Sequence, residues 1–509
     1  MNNIIVSPHH LSTDIASQIY HKGGNAVDAA IATNLIQGIV APETCGIGGD
    51  LFALVWDPSK NEPDFLDASG YAGSFANPDD LQNMESIPLN HPISVTVPGA
   101  VAGWIELSKK YGNLKIEEIL NLGIELCHEG FEINEELYNS LTLHKEELSG
   151  QASGYGFYRD NQPFETGKMI RRPQLGKTLE FLKKNGLEYF YDSDITKSIS
   201  SSVNGILSYD DLKNFKAEWK KPLHSKIYGF DGWTSPPSTQ GYLTLSTLKA
   251  IEMLGAEHDD LHRVIETYRI FAADRDNITY DYGKNIKDFK GVDLDYIQEK
   301  IKLFNPNHSE KFDFPKPRGG GTAYMNTVDK NGLGVSLIQS NFHGIGSRIG
   351  VGSFGFFLHN RGCGFNLDSG HPNYLTPGRK PLHTLSPTIW SKNGNLEFIA
   401  GTRGGRYQPQ LLIQTILPYI QKSDSFEEII KEPRWVIENF SNDTLSKLRF
   451  EKINNEDLKI LLQKGHEVEV ENKFNKAYGP ISIIYKKNDG NFEGVCDVRV
   501  GTEKVFNSF

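Results

Sequence analysis

Arg318-Gly319-Gly320-Gly321-Thr322-Ala323-Tyr324-Met325 sets three glycines directly before a threonine that opens a strand-like segment. Such a loop can expose the Gly321 carbonyl to attack by the Thr322 hydroxyl. If the Gly321–Thr322 bond breaks, Thr322 gains a free α-amino group. A threonine hydroxyl is a weak nucleophile without a nearby base. An α-amino group, with a pKa of about 7.7–8.0 in model peptides, can be that base near neutral pH. Gly321 and Thr322 are therefore the candidate autocleavage pair, and Thr322 the candidate nucleophile. Taken alone, a glycine run more often marks a plain turn.

Other segments make the chemical reading stronger. Gly401-Thr402-Arg403-Gly404-Gly405-Arg406 follows a strand-like run and precedes a helix. Backbone N–H groups of such a Gly-Gly turn can stabilise an oxyanion. Ser340 and Asn341 end an apolar strand whose pairing with the Thr322 strand brings Ser340 close to Thr322. Arg379-Lys380-Pro381-Leu382-His383-Thr384-Leu385-Ser386-Pro387 sets polar side chains in a Pro-bounded loop. Two motifs fail. Gly350-Val351-Gly352-Ser353-Phe354-Gly355 fits G-x-G-x-x-G, but no strand-turn-helix unit surrounds it. The 15 histidines show no metal-ligand spacing. Neither a metal nor a cofactor is expected.

These residues need a scaffold. Helices are predicted from Thr13 or Asp14 to His21 and over Ala26–Ile36, capped by Asn25. A glycine turn, 45–50, feeds a strand over Leu51–Trp56, and a second strand covers Asp64–Ala68. Helical periodicity follows over Val101–Tyr111, Ile116–Glu129, Asn134–Glu147, Gln174–Lys184 and Asp259–Tyr280. Strands then return over Thr322–Val328, Gly334–Gln339, Thr388–Ser391 and Leu396–Ala400. A helix over Leu411–Gln421 and strands over Ile481–Lys486 and Gly494–Arg499 close the chain. Asp281–Pro317, polar and aperiodic, reads as a linker. Helices outside and sheets inside make a layered α/β body, αββα.

Composition bounds the partners. The chain has 509 residues, 38% hydrophobic and 23% charged, with a net charge of −11. The acidic balance argues against nucleic acid and anionic membranes. The first residues lack the basic and apolar regions of a signal peptide, and no stretch is apolar enough to span a bilayer. A cytoplasmic protein is the expectation, and a homodimer stays open. Four scattered cysteines, 45, 127, 363 and 496, read as reduced thiols.

The chain resembles the gamma-glutamyltranspeptidase family of N-terminal-nucleophile hydrolases over roughly residues 4–500. The resemblance is carried by Lys22-Gly23-Gly24-Asn25-Ala26-Val27-Asp28, Gly46-Ile47-Gly48-Gly49, Val97-Pro98-Gly99-Ala100 and Pro236-Pro237-Ser238-Thr239-Gln240-Gly241. Ala272-Ala273-Asp274-Arg275, Gly321-Thr322, the Pro381–Pro387 loop and Gly404-Gly405 continue it. It implies a four-layer αββα fold and a precursor that cuts itself into a large subunit, 1–321, and a small subunit, 322–509. It implies Thr322 as nucleophile, Ser340 as its supporting hydroxyl and Gly404 and Gly405 as the oxyanion pair. Asn341, His383, Thr384, Arg403 and Tyr71 fall in the substrate-binding regions.

Departures are equally informative. Glutathione-cleaving members hold the γ-glutamyl carboxylate with an arginine after the second strand, where this chain reads Asp67-Ala68-Ser69-Gly70-Tyr71-Ala72-Gly73. They hold the α-amino group with acids where this chain reads His359-Asn360-Arg361-Gly362-Cys363-Gly364-Phe365. Two adjacent serines are replaced by His383 and Thr384, and the short Ser369–Gly378 segment implies a missing lid. Arg361, Arg403 and Arg406 are candidates for a replacement clamp. The implied reaction is cleavage of a γ-glutamyl or related acyl amide, with release to water or an amine. Two alternatives stand beside it: an acylase of the cephalosporin-acylase kind, and an unprocessed scaffold protein.

Overall fold

Apolar alternation along the Thr322 and Ser340 strands sorts their side chains onto two faces, and the sheet is built on that sorting. In the computed structural model, residues 1–310, 321–438 and 447–508 are described. The expected features at Arg318–Gly320 and at the end of the proposed linker lie outside them. Thirteen strands form two large sheets: β1 (Asn3–Ser7), β2 (Asp50–Trp56), β3 (Asp64–Ala68), β4 (Glu218–Lys220), β5 (Leu223–Ile227), β6 (Phe230–Thr234), β7 (Gly321–Val328), β8 (Gly334–Phe342), β9 (Thr388–Lys392), β10 (Asn395–Thr402), β11 (Ile481–Lys486), β12 (Phe492–Val495) and β13 (Lys504–Ser508). The first sheet has the order β13-β1-β7-β8-β2-β3-β4, and the second β12-β11-β10-β9-β6-β5.

The sheets pack face to face through Phe52, Leu54, Tyr324, Ile338, Ile389 and Ile399. Ala323, Met325, Val335 and Leu337, one residue out of phase, face the first helical layer instead. At the centre of that layer lies the helix Ala26–Val40, buried at every position. Its alanines allow the close approach, and Asn25 caps it in a reciprocal capping box with Asp28. Helices Tyr242–Leu254, Leu261–Ala273 and Gln408–Ile420 cover the second sheet. The expected αββα architecture is what forms.

Several expected boundaries change. His9, not Thr13 or Asp14, caps the first helix, His10–His21. The predicted Asn134–Glu147 helix breaks at His144, and the Asp259–Tyr280 helix ends at Ala273. The last predicted strand, Gly494–Arg499, lies earlier, at Phe492–Val495. Within its described part, 281–310 is not a bare linker. It holds the helix Leu294–Ile301, anchored by the fully buried Ile297. It ends with Ser309 Oγ and the Glu310 N–H donating to the Glu266 carboxylate. No described helix is long and apolar enough to cross a membrane.

Candidate active site

Strand register decides what Thr322 meets. On β7 and β8, Thr322 pairs directly with Ser340, and Gly321 pairs with Phe342 across a register shift. Thr322 Oγ1 donates to Ser340 Oγ at 3.2 Å, and Ser340 Oγ donates to the Gly321 carbonyl oxygen at 2.6 Å. The Phe342 N–H donates to Ser340 Oγ at 2.7 Å and fixes its orientation. Ser340 thus accepts two hydrogen bonds and spends its one proton on the carbonyl preceding Thr322. Thr322 and Ser340 are both buried.

The Gly-Gly turn follows β10 of the facing sheet. Tyr324 lies against Gly401, where a Cβ would sit 2.1 Å from the ring, and Asn326 Nδ2 donates to the Ile399 carbonyl at 3.3 Å. The contacts of 326 with 399 and 324 with 401 show that β7 and β10 run oppositely across the interface. That direction carries β10 toward the Thr322 end of β7 as it leads into the turn after Thr402. Gly404 and Gly405 have φ of 119° and 57°, a region that favours glycine. Gln240 holds this turn: its Nε2 donates to the carbonyls of Gly405 and Thr384, each at 2.9 Å.

Behind Ser340 lies a buried ionic cluster. Asp50 pairs in register with Ser340, and its carboxylate meets Arg361 Nε at 2.6 Å. His359 and His383 approach the same carboxylate at 3.7 and 3.8 Å, and all four residues are fully buried. Burial alone would raise the Asp50 carboxyl, but Arg361, His383 and His359 hold it below the ordinary carboxylate range. Burial, reinforced by Arg361, lowers His383 to about 3, so its imidazole is neutral near pH 7. Glu43 is the converse case. Both of its carboxyl oxygens are buried with no hydrogen-bond partner among the described residues, and burial pushes it up to about 8.

A cleft of ≈ 160 Å³ opens beside Phe342, the register partner of Gly321, and is lined also by Thr384, Leu382, Asn373, Arg275 and Arg406. Thr384 is the expected substrate residue that faces it. His383 packs edge-on against Phe52 inside the wall. Asn341, out of phase with Ser340, points to the helical side; its Nδ2 donates to the Pro42 carbonyl, and it lines a separate ≈ 20 Å³ cavity. Arg403 is committed to Glu136 through both terminal nitrogens, at 2.9 and 2.6 Å. Tyr71 donates to the Asp211 carbonyl and stacks edge-on against Phe215, away from the cleft. Arg361 belongs to Asp50. Of the three candidate arginines, only Arg406 lines the cleft.

Sequence reasoning passed over Asp50, Glu43, Asp276 and the roles of Gln240 and Arg275. Asp50 carried a signal, as an acid opening an otherwise apolar strand. Gln240 and Arg275 stood inside the quoted motifs without an assigned role.

The gamma-glutamyltranspeptidase family model matches residues 12–506. The chain belongs to the gamma-glutamyltranspeptidase family. It is accordingly an enzyme of the N-terminal-nucleophile amidohydrolase type. It is 29% identical to the glutathione hydrolase-like YwrD proenzyme of Bacillus subtilis, with 97% of each chain covered. It is 30% identical to the oxamate amidohydrolase proenzyme of Klebsiella pneumoniae, covering 98% of this chain and 97% of that one. Among solved structures, cephalosporin acylase from Bacillus halodurans superposes with a TM-score of 0.89 at 27% identity, over 99% of this chain and 95% of that one.

Proposed function

We propose that this gamma-glutamyltranspeptidase-family chain is a precursor that cleaves its own Gly321–Thr322 bond. The free Thr322 is then the nucleophile that splits a γ-glutamyl or related acyl amide. The observation that carries this reading is the hydroxyl relay from Thr322 through Ser340 to the Gly321 carbonyl. Thr322 Oγ1 bonds to the Gly321 carbonyl carbon. Its proton passes to Ser340 Oγ as the Ser340 proton moves to the carbonyl oxygen. Collapse of this adduct breaks the C–N bond, puts a proton on the Thr322 nitrogen and leaves an ester. Water hydrolyses the ester to a Gly321 carboxylate and a free Thr322 α-amine. That amine then serves as base for the Thr322 hydroxyl in each turnover. Gly404 and Gly405 are assigned to the oxyanion formed on the substrate.

The two products, 1–321 and 322–509, would stay together. Strand β7 is paired with β1 of the first segment, and β8 with β2. Cleavage ahead of Thr322 leaves those pairings in place.

The acyl donor is less restricted than in glutathione-cleaving members. The segment where those members place their carboxylate-binding arginine, 67–73, has none in this chain, and its Asp67 is held by Lys220 at 2.6 Å and by Lys380 at 2.9 Å. This favours a related acyl amide and keeps the acylase reading next in line.

Intact mass of purified wild type and Thr322→Ala tests the core of the proposal. The expected result is two fragments meeting at Gly321–Thr322 in the wild type and one chain in the variant. A wild type that stays whole on prolonged incubation would leave the scaffold reading in its place.

A further inference from the structure

We infer that Asn360 and Arg361 are positioning residues for self-cleavage: together they hold Phe342 in a left-handed backbone conformation that aims its N–H at Ser340 Oγ. The inference rests on the self-cleavage reading above and extends it to the residues that set the direction of the relay.

The strand pair is irregular where the relay sits. Thr322 pairs with Ser340 but Gly321 pairs with Phe342, so Asn341 is an extra residue on β8. Such a bulge re-aims the groups beside it. Phe342 takes a φ of 74°, in the region that favours glycine and disfavours a bulky side chain. In that conformation its N–H reaches Ser340 Oγ at 2.7 Å. Thr322 Oγ1 donates to the same oxygen, so the Ser340 proton is left for the Gly321 carbonyl. A Phe342 relaxed to negative φ would turn its N–H away and free the Ser340 hydroxyl to rotate.

Two consecutive residues hold Phe342 from outside its own strand. The Asn360 N–H donates to the Asn341 carbonyl at 3.2 Å, and Asn360 Oδ1 accepts from the His343 N–H at 3.0 Å. One fully buried residue thus brackets Phe342 on both sides. Asn360 is itself fixed, since its Nδ2 donates to the Gly346 carbonyl at 3.0 Å. Next in the chain, the Arg361 guanidinium lies 4.3 Å from the centre of the Phe342 ring, a cation–π contact. Arg361 Nε is tied in turn to Asp50 at 2.6 Å. Asp50 is the strand partner of Ser340 on the side away from Thr322. The contacts therefore close a ring that runs from Ser340 through Phe342, Arg361 and Asp50 back to Ser340.

Self-cleavage rates of fresh precursor, followed on a gel with Tm as the measure of folding, test this. Asp50→Asn/Arg361→Gln removes both charges together, so neither is left buried alone. It should cut about 10–100-fold more slowly than wild type. Asn360→Ala, which takes the acceptor from the His343 N–H, should be slowed alike. Adding Phe342→Gly to either should speed cutting by about tenfold, even though it deletes a buried ring and lowers Tm, because glycine takes positive φ unaided. Adding Phe342→Ala, which deletes the same ring but keeps the disfavoured φ, should not. Deleting a core side chain cannot repair a lost fold, so this pattern separates positioning from stability. Wild-type rates in both variants, or equal rescue by glycine and alanine, overturn the inference. Should neither variant fold, Phe342→Gly and Phe342→Ala alone decide it: glycine should cut about tenfold faster, and equal rates overturn it. A wild type that never cuts would discard the self-cleavage reading and this inference with it.

Discussion

Ser340 Oγ donates to the carbonyl oxygen of Gly321 at 2.6 Å, across the strand pair from Thr322, the proposed attacking residue. One hydroxyl therefore contacts both partners of the proposed bond-making step. If it polarises the carbonyl, Ser340→Ala should slow self-cleavage by about 100-fold, the usual cost of losing one oxyanion donor. Ser340→Thr keeps a hydroxyl and should be slowed less. A gel time course of fresh precursor measures both. Wild-type cleavage rates in Ser340→Ala would remove Ser340 from the relay.

The Asp50–Arg361 pair should matter for stability. Both side chains are fully buried. Asp50→Asn leaves a guanidinium without its counter-charge and should cost about 3–5 kcal/mol. Its acid dependence has a definite sign. The folded Asp50 carboxyl titrates below its unfolded value of 3.8, so its stabilisation is present above that pH and fades as pH falls below it. Thermal unfolding from pH 6 to pH 2.5 should therefore show a steeper acid loss in wild type than in Asp50→Asn. Parallel curves would mean that the pair contributes nothing to acid sensitivity.

Glu43 predicts the opposite slope. Burial raises its carboxyl from 4.5 to about 8, with Glu136 adding to the rise and Arg403 and Arg172 opposing it. The folded state favours the protonated acid. Its stabilisation is complete below the unfolded value and is lost as pH rises through about 8. In the uncut Thr322→Ala precursor, Tm should decline by several degrees between pH 5 and pH 8. Adding Glu43→Gln should flatten that decline. An equal decline in the double variant would assign the slope to other groups.

Sequence made the surroundings of Thr322 legible where the pattern is local. Thr322 and Ser340 lie on two strands joined by a tight connection, and period-2 alternation places both hydroxyls on one face. The same rule excludes Asn341 from that face, since it follows Ser340 by one residue. The Gly404-Gly405 turn was legible because both positions take a positive φ that favours glycine. What stayed hidden depends on contacts made far apart in the chain. Asp50 meets Arg361 across 311 positions, and Gln240 joins Thr384, Gly405 and Arg275. Strands β1 and β13 were also missed, because each is 5 residues long and depends on pairing the two ends of the chain. The 281–310 region misled for a related reason. Its helix is short, and its hold on the body comes from Ile297 and from hydrogen bonds to Glu266, not from periodicity.

Gln240 gives the sharpest test of how the Gly404-Gly405 turn, the proposed oxyanion site, is held. It is fully buried, and each Nε2 proton serves a different backbone carbonyl, one on Thr384 and one on Gly405. Gln240→Glu removes both donations and turns a carboxylate oxygen toward two carbonyls. The turn should shift, while Arg275 and the cleft wall keep their charge. Such a positioning residue acts on the transition state more than on the ground state. The expected outcome is a kcat lowered by about 10–100-fold with KM changed by less than about threefold. Gln240→Ala, which leaves the two carbonyls without a donor but adds no repulsion, should fall between the two proteins. Steady-state kinetics on processed enzyme, with Tm as a control for folding, decides it. A loss confined to KM would place Gln240 with substrate binding and leave the Gly404-Gly405 turn to hold itself.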